Sequence, residues 1–231
     1  MPSLVLSPEL YSYANAGTPI RMGNSVSEKL VALILRHGAT DLNLGDTRYR
    51  SWLDVPLAKA GLDQAQDAAE FLKSFPIKRI LCSPLLRAFV TADIAAKPHK
   101  LEVYQHRGLL PWRLGVFSGR SKKDNQPALK LFVQTRNIAI PDGESLDAFE
   151  DRQFAFFKAV LGEGNQPLTL MVCHTSNVAA LQNFTDDQYK GEPEDSDMVK
   201  PGGVLAVYWD GKMHRAEPVF GKSEPAQFGG S

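Results

Sequence analysis

From Lys29 onward the chain alternates short apolar runs with longer amphipathic stretches, and that alternation leaves few architectures open. The runs Leu30–Leu35, Arg79–Cys82, Leu101–Tyr104, Leu168–Cys173 and Val204–Trp209 have the length of buried strands. Between them, apolar residues recur at helical spacing. Leu62–Ser74 places Ala65, Ala68, Ala69 and Leu72 on one face, and Pro84–Ala96 opens on a proline suited to a first turn. Ser145–Leu161 turns Leu146, Phe149, Phe156, Phe157 and Val160 inward. Strands that alternate with helices need crossover connections, so the sequence predicts an α/β fold, a three-layer α/β/α sandwich with a mostly parallel central sheet. After the Asp210-Gly211 turn, Met213–Phe220 is expected as an edge strand or an extended tail.

With 231 residues, 43% of them hydrophobic, the chain can bury one substantial core. The expected organisation is an N-terminal extension over 1–28, a catalytic domain over 29–222 and a flexible tail over 223–231. Lys and Arg total 26 against 26 Asp and Glu, so the net charge argues for neither nucleic acid nor an anionic membrane as partner. The apolar runs fall far short of the ~20 residues needed to span a bilayer. Residues 1–28 lack the basic start and long apolar stretch of a signal peptide. Cys82 and Cys173 form no disulfide framework, which points to a reducing, cytoplasmic setting. Cys173 is expected as a small buried residue at a strand end rather than a reactive thiol. The acidic stretch from Asp186 to Lys200 is expected as a solvated loop. A homodimer is compatible with the sequence.

The chemistry collects at the ends of the apolar runs. Arg36-His37-Gly38-Ala39-Thr40 ends the first, and Asn43 follows it. Ser51-Trp52-Leu53-Asp54-Val55-Pro56-Leu57 leads through Gly61 to Gln64-Ala65. The second run continues as Ser83-Pro84-Leu85-Leu86-Arg87-Ala88, with Thr91-Ala92 beyond. Pro141-Asp142-Gly143-Glu144-Ser145 precedes a helical stretch that includes Arg152, and Cys173-His174-Thr175-Ser176-Asn177 ends the fourth run. In open α/β sheets ligands gather at the carboxyl ends of strands, which brings Arg36, His37, Arg87 and His174 to one place. Two guanidinium groups and two imidazoles suit a phosphoryl dianion, and the Thr175-Ser176 step can start a helix whose amides also face it. Neither His-x-x-x-His nor a clustered His-Asp pattern occurs, so no metal or cofactor is expected. His99, His106 and His214 lack such company and read as surface or loop residues.

Taken together, these stretches resemble the histidine phosphatase superfamily, also called the phosphoglycerate-mutase-like family, over roughly residues 29 to 210. The resemblance implies that His37 is the nucleophile that becomes phosphorylated, and that Arg36, Arg87 and His174 hold the transferring oxygens. It places Asn43 and Thr175 against the substrate. It also exposes a departure. Most members carry a proton-donating Glu four residues before a Gly, and here Pro111 stands four before Gly115; the other branch puts an Asp after the second His, and here that residue is Thr175. Glu144 is the foremost substitute acid, with Asp41, Asp54 and Asp124 behind it, unless Glu144 simply caps its helix. Without a substitute, either the substrate has a leaving group that departs without help, as in a phosphoramidate, an acyl phosphate or a phosphoanhydride, or the protein binds without turnover. The loop cations Arg48, Arg50, Arg113, Arg120, Lys122 and Lys123 either rim the pocket or keep the surface soluble.

The expected function is a metal-independent phosphatase that hydrolyses a phosphorylated small molecule through a phosphohistidine. A phosphoglycerate-mutase-type transferase and a non-catalytic phospho-ligand-binding protein are the alternatives.

Overall fold

The computed structural model describes residues 28–43, 47–186 and 199–222. The expected N-terminal extension up to residue 27, the tail from residue 223 and residues 187–198 of the acidic stretch lie outside the described residues. Six strands form one sheet: β1 (Lys29–Arg36), β2 (Arg79–Cys82), β3 (Val103–Gln105), β4 (Thr169–Cys173), β5 (Val199–Trp209) and β6 (His214–Lys222), in the order β3-β2-β4-β1-β5-β6. The first four in that order run parallel, while β5 is antiparallel to both of its neighbours, β1 and β6, so the sheet is mixed with a parallel majority.

Side-chain alternation explains why both faces of this sheet are covered. On one face Leu33, Leu35, Ile80, Cys82, Leu170, Val172, Val204, Ala206 and Tyr208 pack against α1 (Lys59–Leu72) and α2 (Leu86–Ala96), through Ala68, Phe71, Leu72, Ala88, Ala92 and Ala95. On the other, Ile34, Leu81, Met171, Cys173, Leu205 and Val207 pack against α4 (Leu146–Leu161) and α5 (Thr175–Thr185), through Phe149, Phe156, Phe157, Val178 and Leu181. Every residue of β4 is buried, and each large apolar side chain so enclosed contributes about 1.5–3 kcal/mol relative to exposure. The three-layer sandwich follows from that burial.

Several boundaries differ from the sequence expectation. Strand β3 starts two residues later than Leu101, since only three residues find partners on β2. β5 begins at Val199, within the stretch expected as an acidic loop, because Val199 pairs with Lys222 on β6. The edge strand β6 is formed in full. Pro84 lies outside its helix, whose N-cap is Leu85. The helix α3 (Lys122–Gln134) falls in a stretch read as loop; Pro127 inside it and a single fully buried residue, Leu129, hide its pattern.

Candidate active site

The parallel ladder places the two histidines beside each other. Arg36 is in register with Cys173, and the amide of His37 donates to the Cys173 carbonyl at 3.0 Å, so His37 and His174 each follow the last paired residue of adjacent strands. Their ring centroids are 5.1 Å apart. Both are buried, His37 completely and His174 at 3% exposure.

Gly38 makes the sharp exit from β1 physically possible. A Cβ on Gly38 would stand 2.2 Å from the Gly61 carbonyl oxygen, and one on Gly61 would stand 2.0 Å from that of Ala39. The loop and the first turn of α1 therefore touch backbone to backbone. Gln64 Oε1 accepts from the Ala39 amide at 2.8 Å, and Thr91 Oγ1 accepts from that of Gly38 at 3.2 Å. The same Thr91 hydroxyl donates to the Arg87 carbonyl, tying the loop to α2.

This brace fixes the tautomer of His37. Its Nδ1 lies 2.7 Å from the Gly38 carbonyl oxygen, which can only accept. In the neutral ring the proton therefore sits on Nδ1, and the lone pair sits on Nε2. That Nε2 is buried without a hydrogen-bond partner among the described residues, as are both ring nitrogens of His174. Burial holds both imidazoles well below their ordinary range, and Arg87 is the next largest influence on each. Arg50 and Arg36 add to it, and His37 also lowers His174. The rings are neutral near pH 7 and surrounded by guanidinium charge. A buried polar nitrogen left without a partner is costly, so the arrangement is built for something that bonds to it.

Arg87 lies on the first turn of α2 at 1% exposure. It donates from one terminal nitrogen to the Leu53 carbonyl (2.7 Å) and from the other to the Ser51 carbonyl (2.9 Å). Ser51 adopts φ 48°, a left-handed backbone unusual for a serine, and its hydroxyl is committed to the Trp112 carbonyl (3.1 Å) and the Leu114 amide (2.8 Å). Arg36 is held through the Val199 carbonyl at 2.9 Å. Arg50, expected only as a possible rim cation, acts on both histidines and donates to Thr40 Oγ1 at 3.3 Å. The other loop cations do different work: Arg48 bonds the Gly119 carbonyl, Arg113 lies over the Trp52 ring, and Lys122 lies over that of Tyr49.

The remaining expected residues fall as follows. Asn43 braces the loop, its Oδ1 accepting from the Thr40 amide and hydroxyl. Thr175 is the buried first residue of α5, but the cap belongs to its neighbours: His174 is the N-cap, and Asn177 Oδ1 accepts from its amide at 3.0 Å. Glu144 neither caps its helix nor acts on the histidines. Ser145 is the cap, accepting from the Ala148 amide, while Glu144 Oε1 takes Arg152 at 2.7 Å and the Arg113 amide at 2.9 Å. Arg152 also grips the carbonyls of Leu110 and Pro111, so this pair is a strut for the 108–114 segment. Of the other substitutes, Asp54 caps α2 through the Leu86 amide, Asp41 is exposed, and Asp124 sits in the first turn of α3. Among the described residues no carboxylate acts on either ring, and no group of three His, Cys, Asp or Glu could hold a metal. Cys173 and Cys82 are buried thiols pushed up to about 12 by burial, as structural cysteines are. No helix among the described residues is long and apolar enough to cross a membrane.

Comparison with known proteins agrees with this geometry. A 2,3-bisphosphoglycerate-dependent phosphoglycerate mutase from Chlamydia abortus is 25% identical over 226 residues, 82% of this chain and 98% of that protein. The structure of a mycobacterial glucosyl-3-phosphoglycerate phosphatase matches with a TM-score of 0.66 at 25% identity, over 85% of this chain and 100% of that one. A phosphoglycerate mutase from Bacillus anthracis shares the fold, with a TM-score of 0.70 at 22% identity over 84% of this chain and 94% of that one. The model of one family spans residues 32–213, from β1 to the turn before β6, and so takes in both histidines and the loops that brace them. The chain belongs to the histidine phosphatase superfamily, in its branch 1.

Proposed function

We propose that this protein is a metal-independent phosphatase that works through a phosphohistidine on His37. The observation that carries the reading is the buried Nε2 of His37, left with its lone pair by the Nδ1 bond to Gly38 and set within a cluster of guanidinium groups. A neutral imidazole in that state is a ready nucleophile. Arg36, Arg87 and His174 hold the phosphoryl oxygens and neutralise the charge that spreads over them in a loose transition state. Thr175 begins the helix whose first amides face the same anion, and Asn43 keeps the His37 loop in shape. The substrate is a phosphorylated small molecule. The two buried, unpaired cysteines suit a cytoplasmic setting.

Relatives include both a mutase and a phosphatase, and the lack of a carboxylate acting on the rings among the described residues favours hydrolysis. A mutase must repeatedly protonate and deprotonate a sugar-acid oxygen, and the described site has no group to do so. Turnover of 4-nitrophenyl phosphate in a chelator, compared between the wild type and His37→Ala, tests the reading. Activity that survives chelation and vanishes in the variant supports it. Activity restored only by a divalent ion, or retained without His37, refutes it.

A further inference from the structure

Ser51 stands in a backbone conformation that a serine does not favour, in the stretch of chain that wraps Arg87. Three described non-glycine residues have positive φ: Ser51 at 48°, Lys100 at 55° and Asp142 at 59°. Lys100 and Asp142 lie in exposed turns, and aspartate tolerates the left-handed region better than most residues. Ser51 is buried, so the structure around it must hold it there. Its carbonyl accepts from one terminal nitrogen of Arg87 at 2.9 Å, while the Leu53 carbonyl accepts from the other at 2.7 Å. That fork fixes the plane of the guanidinium. Its hydroxyl donates to the Trp112 carbonyl at 3.1 Å and accepts from the Leu114 amide at 2.8 Å. A glycine would adopt this backbone without strain but could make neither side-chain bond.

The other side of Trp112 leads to the second half of the site. Its amide donates at 3.1 Å to Ser176 Oγ, and Ser176 is the second residue of α5, two beyond His174. Trp112 has no exposed surface, and Ser176 is buried as Ser51 is. Two residues before Trp112, the Leu110 carbonyl accepts from Asn177 Nδ2 at 3.1 Å, and Asn177 Oδ1 in turn takes the His174 amide. One buried stretch of backbone therefore has the wrap of Arg87 on one side and the start of the His174 helix on the other. Arg87 and His174 come from different elements, and the Trp112 peptide groups bridge them through two serine hydroxyls.

Resting on the reading that Arg87 and His174 hold one phosphoryl group between them, we propose that Ser51 is a positioning residue: through Trp112, its hydroxyl sets the Arg87 guanidinium in a fixed place relative to His174. Ser51 touches no substrate. Its left-handed backbone is the conformation that lets one residue present its carbonyl to Arg87 and its hydroxyl to the Trp112 segment. Arg87 acts on charge as it spreads in the transition state, so an error in its placement falls on kcat and on the affinity for vanadate, which mimics that state, rather than on KM.

Wild type, Ser51→Ala, Ser51→Gly and Ser176→Ala are compared in turnover of 4-nitrophenyl phosphate, inhibition by vanadate and unfolding in urea. Both Ser51 variants lose the hydroxyl, but glycine also relieves the backbone, so Ser51→Gly should be the more stable of the two. Their kcat should nevertheless fall alike, by about 10- to 10²-fold, the cost of a small misplacement in a site of this kind. The vanadate inhibition constant should rise by a similar factor while KM changes little. Ser51→Gly combined with Ser176→Ala should lose about as much as the worse single variant, since each releases the same Trp112 backbone. A Ser51→Gly protein with the kcat and vanadate affinity of wild type, or losses that follow the unfolding midpoints, would overturn the positioning role. Losses that multiply in the double variant would overturn the bridge through Trp112. Labelling of His37 in wild type separates the two levels: its absence overturns the reading of the site, whereas its presence beside an unaffected Ser51→Gly overturns the role of Ser51 alone.

Discussion

Acid should destabilise this protein through its two site histidines. In the folded state burial, followed by Arg87 and the other guanidinium groups, holds His37 and His174 well below 6.5, the value each has when exposed. Below pH 6.5 the unfolded chain takes up protons that the folded chain refuses, so stability is unaffected above that pH and is lost as the pH falls through it. A histidine near 6.5 in the unfolded chain and neutral throughout in the folded one costs about 1.4 kcal/mol between pH 7.5 and 5.5, hence about 2.7 kcal/mol for the pair. The loss levels off once the folded rings themselves begin to charge. His99 and His214 are also lowered by burial and steepen the total, so the comparison that isolates the site is with a His37→Gln, His174→Gln double variant. Urea unfolding across this pH range should show the wild type losing about 2.7 kcal/mol more than the double variant, with each single variant near half. Parallel curves would mean that the rings are protonated in the folded protein and that the nucleophile is not neutral.

Gly38→Ala and Gly61→Ala each force a Cβ to within 2.2 Å of a backbone oxygen and should lower stability by about 2–3 kcal/mol or prevent folding, as denaturant midpoints will show. Glu144→Gln breaks the pair with Arg152, where the two side chains are 19% and 27% exposed, and should cost about 1–2 kcal/mol. It should slow aryl and alkyl phosphates by one common factor; a selective loss on alkyl phosphates would make Glu144 the acid after all. Wild type should cleave aryl phosphates about 10²- to 10⁴-fold faster than simple alkyl phosphates, and equal rates would point to an acid outside the described residues. Vanadate should inhibit competitively through Arg36, Arg87 and His174, and unaltered rates at high vanadate would count against that pocket.

The parts of this fold legible in the sequence are those where local pattern and tertiary burial agree. The run from Leu30 to Leu35, enclosed on both faces from Val31 onward, reads as a central strand, as does the run ending at Cys173. Strand-end chemistry is legible too, since Arg36, His37 and His174 stand at the ends of their strands and the register of β1 on β4 does the rest. Helix α3 is not, because Pro127 and an exposed face leave little periodicity to find. Arg50 is one of six similar loop cations. The left-handed turn at Ser51, the bond to Thr40 and its effect on both histidines distinguish it, and none of these is written in local sequence. Glu144 misleads for a related reason: a glutamate before a helix is the pattern of a cap or an acid, and its tie to Arg152 depends on how the 108–114 segment packs.

The central claim is that His37 Nε2 carries the phosphoryl group. Protein mixed with substrate labelled in the transferred phosphate and quenched in denaturant should hold a label that is lost in acid and survives alkali. Peptide mapping should place it on the segment that contains His37, and the His37→Ala protein should hold none. An acid-stable label, a label on His174, or labelling that persists in His37→Ala would contradict the account.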